Sequence, residues 1–330
     1  MRNTIHNRPT LTIAALVMLS GSIAACATAW NMATSVLPGE KEVKNARPAP
    51  PFVAESFKDS VAVRFLVVGD WGTGAAFQKR VAAAMAAKAE SEKPQFILST
   101  GDNIYNSGVS SVDDPQWKTK FEDVYTAQSL ELPWYAILGN HDHRSNIQAQ
   151  IDYHTKNPRW NMPARYYKIS KAIDPSTSVE IFAIDTDPIN RNDTAFIAQQ
   201  NIWLRRELAA SQARWKIVLG HHPVRSHGGY GDQDYMLRHI KPILDSNNVA
   251  VYICGHDHDL QYLKSPQDTF FCLVSGAGGE ARHTGYGENT VFAATNGGFN
   301  VIAVTRNRIY IEFVNIEGKT VFAHSLRKAY

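Results

Sequence analysis

Five short polar motifs, each placed where an apolar, strand-like run ends, constrain this chain more than any other feature. In chain order they are Gly69-Asp70-Trp71-Gly72, Gly101-Asp102-Asn103-Ile104-Tyr105, Gly139-Asn140-His141-Asp142, Val218-Leu219-Gly220-His221 and Gly255-His256-Asp257-His258. Together they supply carboxylates, an amide, imidazoles and a phenol, which is a complete ligand set for two metal ions. One such motif would mean little, but five in order predict a dinuclear metallohydrolase.

Apolar runs alternate with helical patterns from Val61 onward, which predicts an α/β domain with mixed sheets. The predicted strands cover residues 63–68, 95–99, 134–138, 179–184, 216–219, 249–253, 270–274, 300–305, 308–314 and 319–325. The predicted helices cover residues 75–90, 115–125, 194–210 and 235–244. Pro242 must bend or shorten the last helix. Because ligands of such sheets bind beyond the carboxyl ends of the strands, all five motifs lie where a site is expected.

Residues 1–30 have the pattern of a targeting segment. Two arginines precede an apolar stretch at 11–19 that is too short to remain as a membrane-spanning helix. The tetrapeptide Ile23-Ala24-Ala25-Cys26 resembles a bacterial lipobox, in which lipidated Cys26 would tether the mature protein to a membrane. Small-x-small sites in the same stretch allow simple signal-peptide cleavage instead. Both alternatives predict export, as a periplasmic or outer-membrane lipoprotein or as a secreted protein.

Residues 31–60, rich in proline and charge, predict a linker, which leaves 61–330 as the catalytic domain. Lysine and arginine residues are scattered and the net charge is only +3, so no nucleic-acid partner is expected. After the leader, only Cys254 and Cys272 remain. Export would permit a disulfide between them, but buried free thiols in neighbouring strands fit the apolar runs around them equally well.

The carboxylates and the phenol of the first two motifs suit different metal roles. A carboxylate has two oxygens and can bridge two cations, so Asp102 is the candidate bridge. Tyr105 lies three residues further on. As a phenolate it is a hard anionic ligand that suits Fe(III) better than Zn(II) or Mg(II). Because a free phenol has a pKa of about 10, a metal must displace its proton.

The amide and imidazole donors lie in the last three motifs. Asn140 offers a neutral amide oxygen, and His141 beside it can reach a substrate. His221 follows a strand, but His222 stands next to it, so spacing alone does not decide between them. The two histidines of Gly255-His256-Asp257-His258 can converge on one metal pair, and this is the most specific part of the pattern.

Taken together, the motifs resemble the purple acid phosphatases of the calcineurin-like metallophosphoesterase superfamily, in particular the small mammalian-type tartrate-resistant acid phosphatases. The resemblance covers about residues 61–325, and Tyr105 marks the purple branch. Further matching stretches are Pro133-Trp134-Tyr135, Arg159-Trp160-Asn161 and Ser275-Gly276-Ala277-Gly278. The resemblance implies a metallophosphoesterase-type four-layer α/β/β/α sandwich with mixed sheets.

The same resemblance implies a ligand set for Fe(III) plus a divalent metal, which in the family is Fe(II), Zn(II) or Mn(II). It makes Asp102 the bridge. The implied Fe(III) ligands are Asp70, Tyr105 and His258, and the implied ligands of the divalent metal are Asn140, His221 and His256. The family pattern Val-x-x-His favours His221 over His222, and mammalian-type relatives often carry Tyr where this chain has His222.

Two further histidines, His141 and His227, match histidines that contact the phosphate or the leaving group, and they are the expected catalytic residues. Residues 188–193 stand where mammalian-type enzymes have a longer loop that is cleaved on activation, so no proteolytic switch is expected. Three negative ligands against five positive metal charges would leave the site cationic, which attracts phosphate.

We therefore expect an exported acid phosphatase that hydrolyses phosphate monoesters by attack of a metal-bound hydroxide. It is expected to act as a monomer on small phosphoester substrates. The same metal core would serve an enzyme that acts on phosphodiesters or nucleotides, with the choice made in loops such as 109–114 and 228–231. The non-enzymatic alternatives are an exported metal-binding protein and a surface-tethered structural lipoprotein. A pure binding site has no need of His141.

Overall fold

Two seven-stranded sheets share one hydrophobic core in the computed structural model of the chain, which describes residues 61–328. The strands are β1 Val63–Val68, β2 Phe96–Ser99, β3 Trp134–Ala136, β4 Trp160–Asn161, β5 Tyr167–Asp174, β6 Thr177–Ala183, β7 Trp215–Leu219, β8 Val251–Cys254, β9 Leu260–Leu263, β10 Phe271–Ser275, β11 Thr290–Ala294, β12 Gly298–Val304, β13 Arg308–Asn315 and β14 Thr320–Arg327. The helices are α1 Ala76–Glu92, α2 Pro115–Trp117, α3 Ile147–Asp152, α4 Asp187–Asn190, α5 Thr194–Ala210, α6 Asp234–His239 and α7 Lys241–Asp245. None of these helices is both long and apolar enough to cross a membrane. The predicted leader, the linker and Cys26 lie outside the described residues.

Each sheet combines a parallel block with antiparallel strands, which lie at one margin of the first sheet and at both margins of the second. The first has the order β14-β13-β12-β1-β2-β3-β4, and β1 to β4 run parallel to one another. The second has the order β11-β9-β10-β8-β7-β6-β5, and β6, β7, β8 and β10 run parallel. The last three strands form antiparallel hairpins, as their short connections predict. Two mixed sheets with flanking helices confirm the predicted α/β fold class.

The parallel strands of each sheet end at one level. In the first sheet Val68 pairs with Ser99, which in turn pairs with Ala136. In the second sheet Leu219 pairs with Ile253. Because neighbouring strands end together, the loops that follow them lie side by side. The register therefore brings the five motifs together in two groups, one at the end of each sheet.

A buried aromatic cluster fixes the first of these loops. Trp71, which directly follows Asp70, is fully buried, and its Nε1 donates a hydrogen bond of 2.9 Å to Ser99 Oγ. The Trp71 ring lies 5.5 Å from the ring of Trp134 and 5.6 Å from that of Tyr125. Edge-to-face contacts of this kind contribute about 0.5–1.5 kcal/mol each beyond burial. The packing of Trp71 thus sets the position of the neighbouring carboxylate.

Helices bury apolar faces against both sheets. Val81 and Met85 of α1 join the core of the first sheet. Leu204 of α5 and Met236 of α6 pack into a second cluster with Val218 of β7. Each fully buried side chain of this size stabilises the fold by roughly 1.5–3 kcal/mol. The helices therefore hold the sheets firmly under the loops that carry the motifs.

Two predicted helices differ from the observed ones. The helix predicted over 115–125 is α2, capped by Asp114, followed by a wider π-type turn at Lys118–Glu122. This turn places both Trp117 and Phe121 in the aromatic cluster, so packing overrides a regular helix. The helix predicted over 235–244 is divided into α6 and α7, because Pro242 has no N–H to continue the hydrogen-bond ladder.

Four strands were not predicted: β4, β5, β9 and β11. Strand β5 lies at a sheet edge, where buried Tyr167 and Ile169 alternate with exposed Lys168 and Ser170. Its apolar content is therefore too low to give a continuous hydrophobic run. Strand β4 has two residues and β9 has four, which is too short for a periodic signal.

The two cysteines are free thiols. Cys254 of β8 and Cys272 of β10 lie on neighbouring parallel strands, and both are buried. Val274 pairs with Cys254, while Cys272 pairs with Tyr252, so the two cysteines are not opposite each other. Of the two alternatives left open by the sequence, buried free thiols describe the structure. Burial raises the pKa of both thiols, which keeps them protonated and unreactive.

Candidate metal centre

The seven candidate ligands lie on the loops that follow β1, β2, β3, β7 and β8. They are Asp70, Asp102, Tyr105, Asn140, His221, His256 and His258. The carboxylates and imidazoles are largely withdrawn from solvent, with Asp70 and His221 fully buried. The structure brings all seven together where the ends of the two sheets meet.

Three of these residues have the left-handed backbone conformation that residues other than glycine rarely adopt. The angle φ is 55° at Asp70, 49° at Asp102 and 70° at His256. Such a conformation costs roughly 1–2 kcal/mol per residue. It persists where the surrounding structure enforces it, and it is concentrated at functional sites. Here it turns the three loops sharply after their strands.

Glycines of the motifs leave room for the two carboxylates. A Cβ atom at Gly139 would lie 2.2 Å from Asp102 Oδ1, and one at Gly255 would lie 2.3 Å from Asp70 Oδ2. Any side chain at these positions would displace a carboxylate. The glycines thus follow from the close approach of neighbouring loops to the acidic groups.

One group of ligands surrounds the hydroxyl of Tyr105. Its Oη lies 3.0 Å from Asp70 Oδ1, 3.1 Å from Asp102 Oδ2 and 3.0 Å from His258 Nε2. His258 Nε2 is also 3.6 Å from Asp70 Oδ1. One phenolic proton therefore faces three acceptor atoms, of which it can satisfy one fully. A cation among these four groups would satisfy all of them.

A second group surrounds His221. Its Nε2 lies 3.1 Å from Asn140 Oδ1 and 3.6 Å from Asp102 Oδ1. The ring of His256 lies 5.1 Å from that of His221. Asp102 thus directs Oδ2 to the first group and Oδ1 to the second. This arrangement suits a carboxylate that bridges two cations.

In His221 and His258, the ring nitrogen Nδ1 lies within hydrogen-bond distance of an acceptor. His221 Nδ1 lies 2.9 Å from the carbonyl oxygen of Thr100, and His258 Nδ1 lies 3.1 Å from Glu280 Oε2. Because both partners accept, each Nδ1 carries the proton and each Nε2 presents its lone pair to the cluster. Histidine ligands of metals are oriented in this way.

Burial shifts the pKa values of the clustered side chains in the directions that favour their neutral forms. It raises the pKa of Asp70 well above the ordinary value, with the nearby charge of Asp102 adding to the effect. Burial also raises the pKa of Tyr105, to which the charges of both carboxylates contribute. It lowers the pKa of His221 and of His258 to about 4 in each case. The imidazoles are therefore neutral at pH 7, which is the form that binds metals.

The two expected catalytic histidines lie in different surroundings. The backbone N–H of His141 donates to Asp102 Oδ1 at 2.8 Å, and its ring lies 4.6 Å from the ring of Tyr105. The structure thus places His141 at the rim of the cluster. The ring of His227 instead contacts Asn289 Oδ1 through Nε2 at 2.6 Å, on a loop held by Gln261.

Several residues around the cluster were not singled out from the sequence. Asp142 is fully buried and accepts from the backbone N–H groups of Gly139 and Asn103 at 2.9 and 3.1 Å, which ties two motif loops together. Glu280 orients His258, and the Thr100 carbonyl orients His221. Asp142 lies inside the motif Gly139-Asn140-His141-Asp142, which is a sequence signal for it. By contrast, nothing in the sequence links Glu280 to His258, 22 residues away.

These residues fit a dinuclear cation centre. Ligand atoms of Asp70, Asp102 and His221 lie within 4.8 Å of one another. Three of the four donors around Tyr105 are hard oxygens, whereas the donors around His221 are two nitrogens and two oxygens, so the two positions suit different metals. Cations would also remove the cost of burying two neighbouring carboxylates.

Comparison with known proteins agrees with this chemistry. The model of the calcineurin-like phosphoesterase family matches residues 63–260. Tartrate-resistant acid phosphatase type 5 of Sus scrofa is 34% identical over 326 residues, covering 89% of this chain and 93% of the relative. Purple acid phosphatase 4 of Arabidopsis thaliana is 33% identical over 284 residues, covering 79% of this chain and 82% of the relative.

Solved structures show the same fold. One similar structure is GAP50, described as the anchor in the inner membrane complex of Plasmodium, with a TM-score of 0.73 and 25% identity over 82% of this chain and 90% of that chain. Another is purple acid phosphatase PPD1 from yellow lupin (Lupinus luteus) seeds, with a TM-score of 0.64 and 14% identity over 82% of this chain and 55% of that chain. From the family match and the extended identity, the chain belongs to the calcineurin-like phosphoesterase family, and tartrate-resistant and purple acid phosphatases are among its relatives.

Proposed function

We propose that this protein is an exported acid phosphatase of the purple type, which hydrolyses phosphate monoesters at an Fe(III)–M(II) centre. The observation that carries the proposal is the position of Tyr105. Its hydroxyl lies between Asp70 and Asp102, at 3.0 and 3.1 Å, where a phenolate would be an Fe(III) ligand. The acid phosphatases among the relatives support the same reaction.

The two groups of side chains divide between the two metals. In this proposal Asp102 would bridge them, because its oxygens face both groups. Asp70, Tyr105 and His258 would hold Fe(III). Asn140, His221 and His256 would hold the divalent ion, which is Fe(II), Zn(II) or Mn(II).

The chain's own residues position the substrate and move a proton. When bound, the metal pair supplies a hydroxide nucleophile near neutral pH and neutralises charge on the phosphoryl group. His141 Nδ1 donates to the carbonyl oxygen of Asn106 at 2.7 Å, which leaves Nε2 free at 3.9 Å from Asp102 Oδ2. With its side chain 22% exposed, His141 in its imidazolium form can transfer the Nε2 proton to the departing alkoxide and become neutral. His227 is proposed as a second contact to the substrate.

Export is part of the proposal and rests on the sequence of the first 60 residues. The leader pattern and the proline-rich linker support a domain held outside the cytoplasm, either tethered through lipidated Cys26 or released by signal cleavage. Mass spectrometry of the mature N-terminus distinguishes the two forms. A chain that keeps Met1 and stays in the cytoplasm would contradict both.

The decisive experiment is a visible absorption spectrum of the purified domain, recorded with and without dithionite. A purple band that bleaches on over-reduction is expected, because a phenolate bound to Fe(III) gives a charge-transfer band. Tyr105→Phe should abolish the band, whereas Tyr310→Phe, on strand β13, should retain it. A colourless wild-type protein that still hydrolyses p-nitrophenyl phosphate would mean a divalent pair without a Tyr105–Fe(III) bond.

A non-enzymatic role is the second candidate, because the similar structure GAP50 is described as an anchor. Full metal occupancy without turnover of any phosphoester would favour it over the phosphatase. The substrate class is tested in the same assay. Faster hydrolysis of bis(p-nitrophenyl) phosphate than of the monoester would identify a phosphodiesterase instead.

A further inference from the structure

His222 is a buried imidazole with one nitrogen that has no hydrogen-bond partner. The residue is fully buried, and its Nδ1 lies 2.7 Å from Thr186 Oγ1. The Nε2 atom is enclosed and contacts no donor or acceptor. An unsatisfied buried polar atom lowers the stability of a fold, so a partner bound at this nitrogen would be stabilising. The sequence left the choice between His221 and His222 open on spacing.

The free side of His222 faces the candidate ligands of the divalent metal. Its ring centroid lies 4.4 Å from that of His256 and 5.0 Å from that of His221. Ligand nitrogens of the three histidines lie within 4.8 Å of one another. Two nitrogens bound at 2.0–2.1 Å to one tetrahedral zinc ion are about 3.4 Å apart, so the rings must approach one another by up to about 1.4 Å to bind one ion.

We propose that His222 binds the divalent metal through Nε2 and, with His221 and His256, forms a three-imidazole position that selects Zn(II) over Mn(II). This inference rests on the proposed dinuclear centre and adds one ligand to it. The juxtaposition of three buried imidazoles, one with an unpartnered nitrogen, carries it. Mn(II) prefers oxygen donors, whereas a set of three imidazoles suits Zn(II).

The hydrogen bonds of His222 support the required tautomer. For Nε2 to bind a metal, Nδ1 must carry the proton and donate it to Thr186 Oγ1, which lies within reach. The same Oγ1 accepts from the backbone N–H of His222 at 3.0 Å. In addition, the His222 carbonyl accepts from Tyr252 Oη at 2.7 Å, so the backbone is held as well. The ring is thus fixed by its Nδ1 side, and its centroid lies 4.4 Å from that of His256.

The added imidazole also assigns a role to Asn140. A neutral amide is the weakest donor of the set, and its Oδ1 lies only 3.1 Å from His221 Nε2. With three nitrogens and Asp102 available to hold the ion, Asn140 would contribute least to its binding. The selectivity of the position then comes from the imidazoles.

The test measures metal selection rather than turnover. Metal-free protein is loaded with Fe(III), dialysed against equal concentrations of Zn(II) and Mn(II), and analysed for bound metals. His222→Asn keeps an amide at the Nδ1 position for Thr186 but has no atom at Nε2, whereas His222→Gln places an amide near Nε2. His154→Asn removes an exposed histidine as the matched control. Circular dichroism and melting temperature report whether each variant is folded.

The wild type and His154→Asn should retain Zn(II) over Mn(II). His222→Asn should lower the ratio of bound Zn(II) to bound Mn(II) by at least about tenfold, because loss of a residue that merely orients a metal-bound histidine already weakens metal binding by that factor. The ratio for His222→Gln should lie between those of the wild type and His222→Asn. A folded His222→Asn protein with the wild-type ratio of Zn(II) to Mn(II) overturns the inference about His222. If that variant also keeps two metals and phosphatase activity, the proposed function stands. A wild type without a metal pair overturns both.

A second measurement does not depend on any variant. X-ray absorption at the zinc edge of the wild-type protein counts the imidazoles around the ion. Three imidazoles are expected. A count of two would show that His222 Nε2 does not bind the metal, even if both substitutions prevent folding.

Discussion

The hydroxyl of Tyr105 lies 3.0 Å from Asp70 Oδ1, which joins the loop after β2 to the loop after β1. In the metal-free protein this hydroxyl keeps its proton at pH 7, because burial and the two nearby carboxylates raise its pKa. Metal binding must remove that proton. Since the loaded protein then holds fewer protons than the metal-free protein, metal affinity should rise with pH through neutrality.

Proton release on metal binding is therefore the first prediction. Calorimetric titration of metal-free protein in buffers of different ionisation enthalpy measures the number of protons released. Tyr105→Phe should release one proton fewer than the wild type at pH 7. His221, whose pKa is lowered to about 4 by burial, is already neutral and should release none. Equal proton release by wild type and Tyr105→Phe would show that the phenol does not ionise.

Replacement of Asp102, the proposed bridging residue, should make the melting temperature independent of metals. We expect Asp102→Asn to lose both metals and the phosphatase activity together, because one side chain serves both positions. A bound metal at 100 times its Kd stabilises the fold by about 2.7 kcal/mol. EDTA should thus lower the melting temperature of the wild type but leave that of Asp102→Asn unchanged. Asp123→Asn, in an exposed ion pair with Lys118, should behave as wild type.

Removal of the group that orients His258 should weaken metal binding without abolishing it. Glu280→Ala deletes the acceptor 3.1 Å from His258 Nδ1. The loss of Fe(III) affinity should be about 10–100-fold, and Glu280→Gln should restore part of it by keeping an acceptor. Competition with a chelator measures both values. Glu317→Ala, which removes an exposed partner of Arg80, serves as the control, and a matching loss there would point to a general effect.

Loss of the expected proton donor should slow turnover while the metals remain bound. His141→Ala is expected to lower kcat by about 10²–10⁴-fold with unchanged metal content, since general acid catalysis contributes that much. The reduction should be smaller for p-nitrophenyl phosphate than for an alkyl phosphate, because nitrophenolate leaves without a proton. His154→Ala should keep the wild-type kcat. Metal loss in His141→Ala would instead place this histidine among the ligands.

Much of the clustering of the candidate ligands could be predicted because these residues follow strands directly. Asp70 and His221 each stand two residues after a continuous apolar run, so the strand ends located them in the sequence. The parallel register then brought them together, as expected for sheets of this kind. The resemblance supplied the division of the ligands between two metals.

The other features of the site and the fold depend on tertiary contacts that no local sequence pattern predicts. Glu280 meets His258 from a loop without secondary structure, and Thr100 acts through a main-chain carbonyl that any residue could provide. Strand β5 forms at an edge, where only three of its eight residues are buried. The orientation of His222 depends on Thr186, which lies 36 residues earlier.

The distribution of the ligands over both sheets has a consequence for the order of events during synthesis. Asp70, Asp102 and Asn140 belong to the first sheet, whereas His221 and the histidines after β8 belong to the second. A growing chain therefore cannot complete either candidate metal position until the loop at residues 255–258 has joined the fold. Any metal would then bind after the second sheet has formed, from the ions present in the compartment where the chain completes its folding.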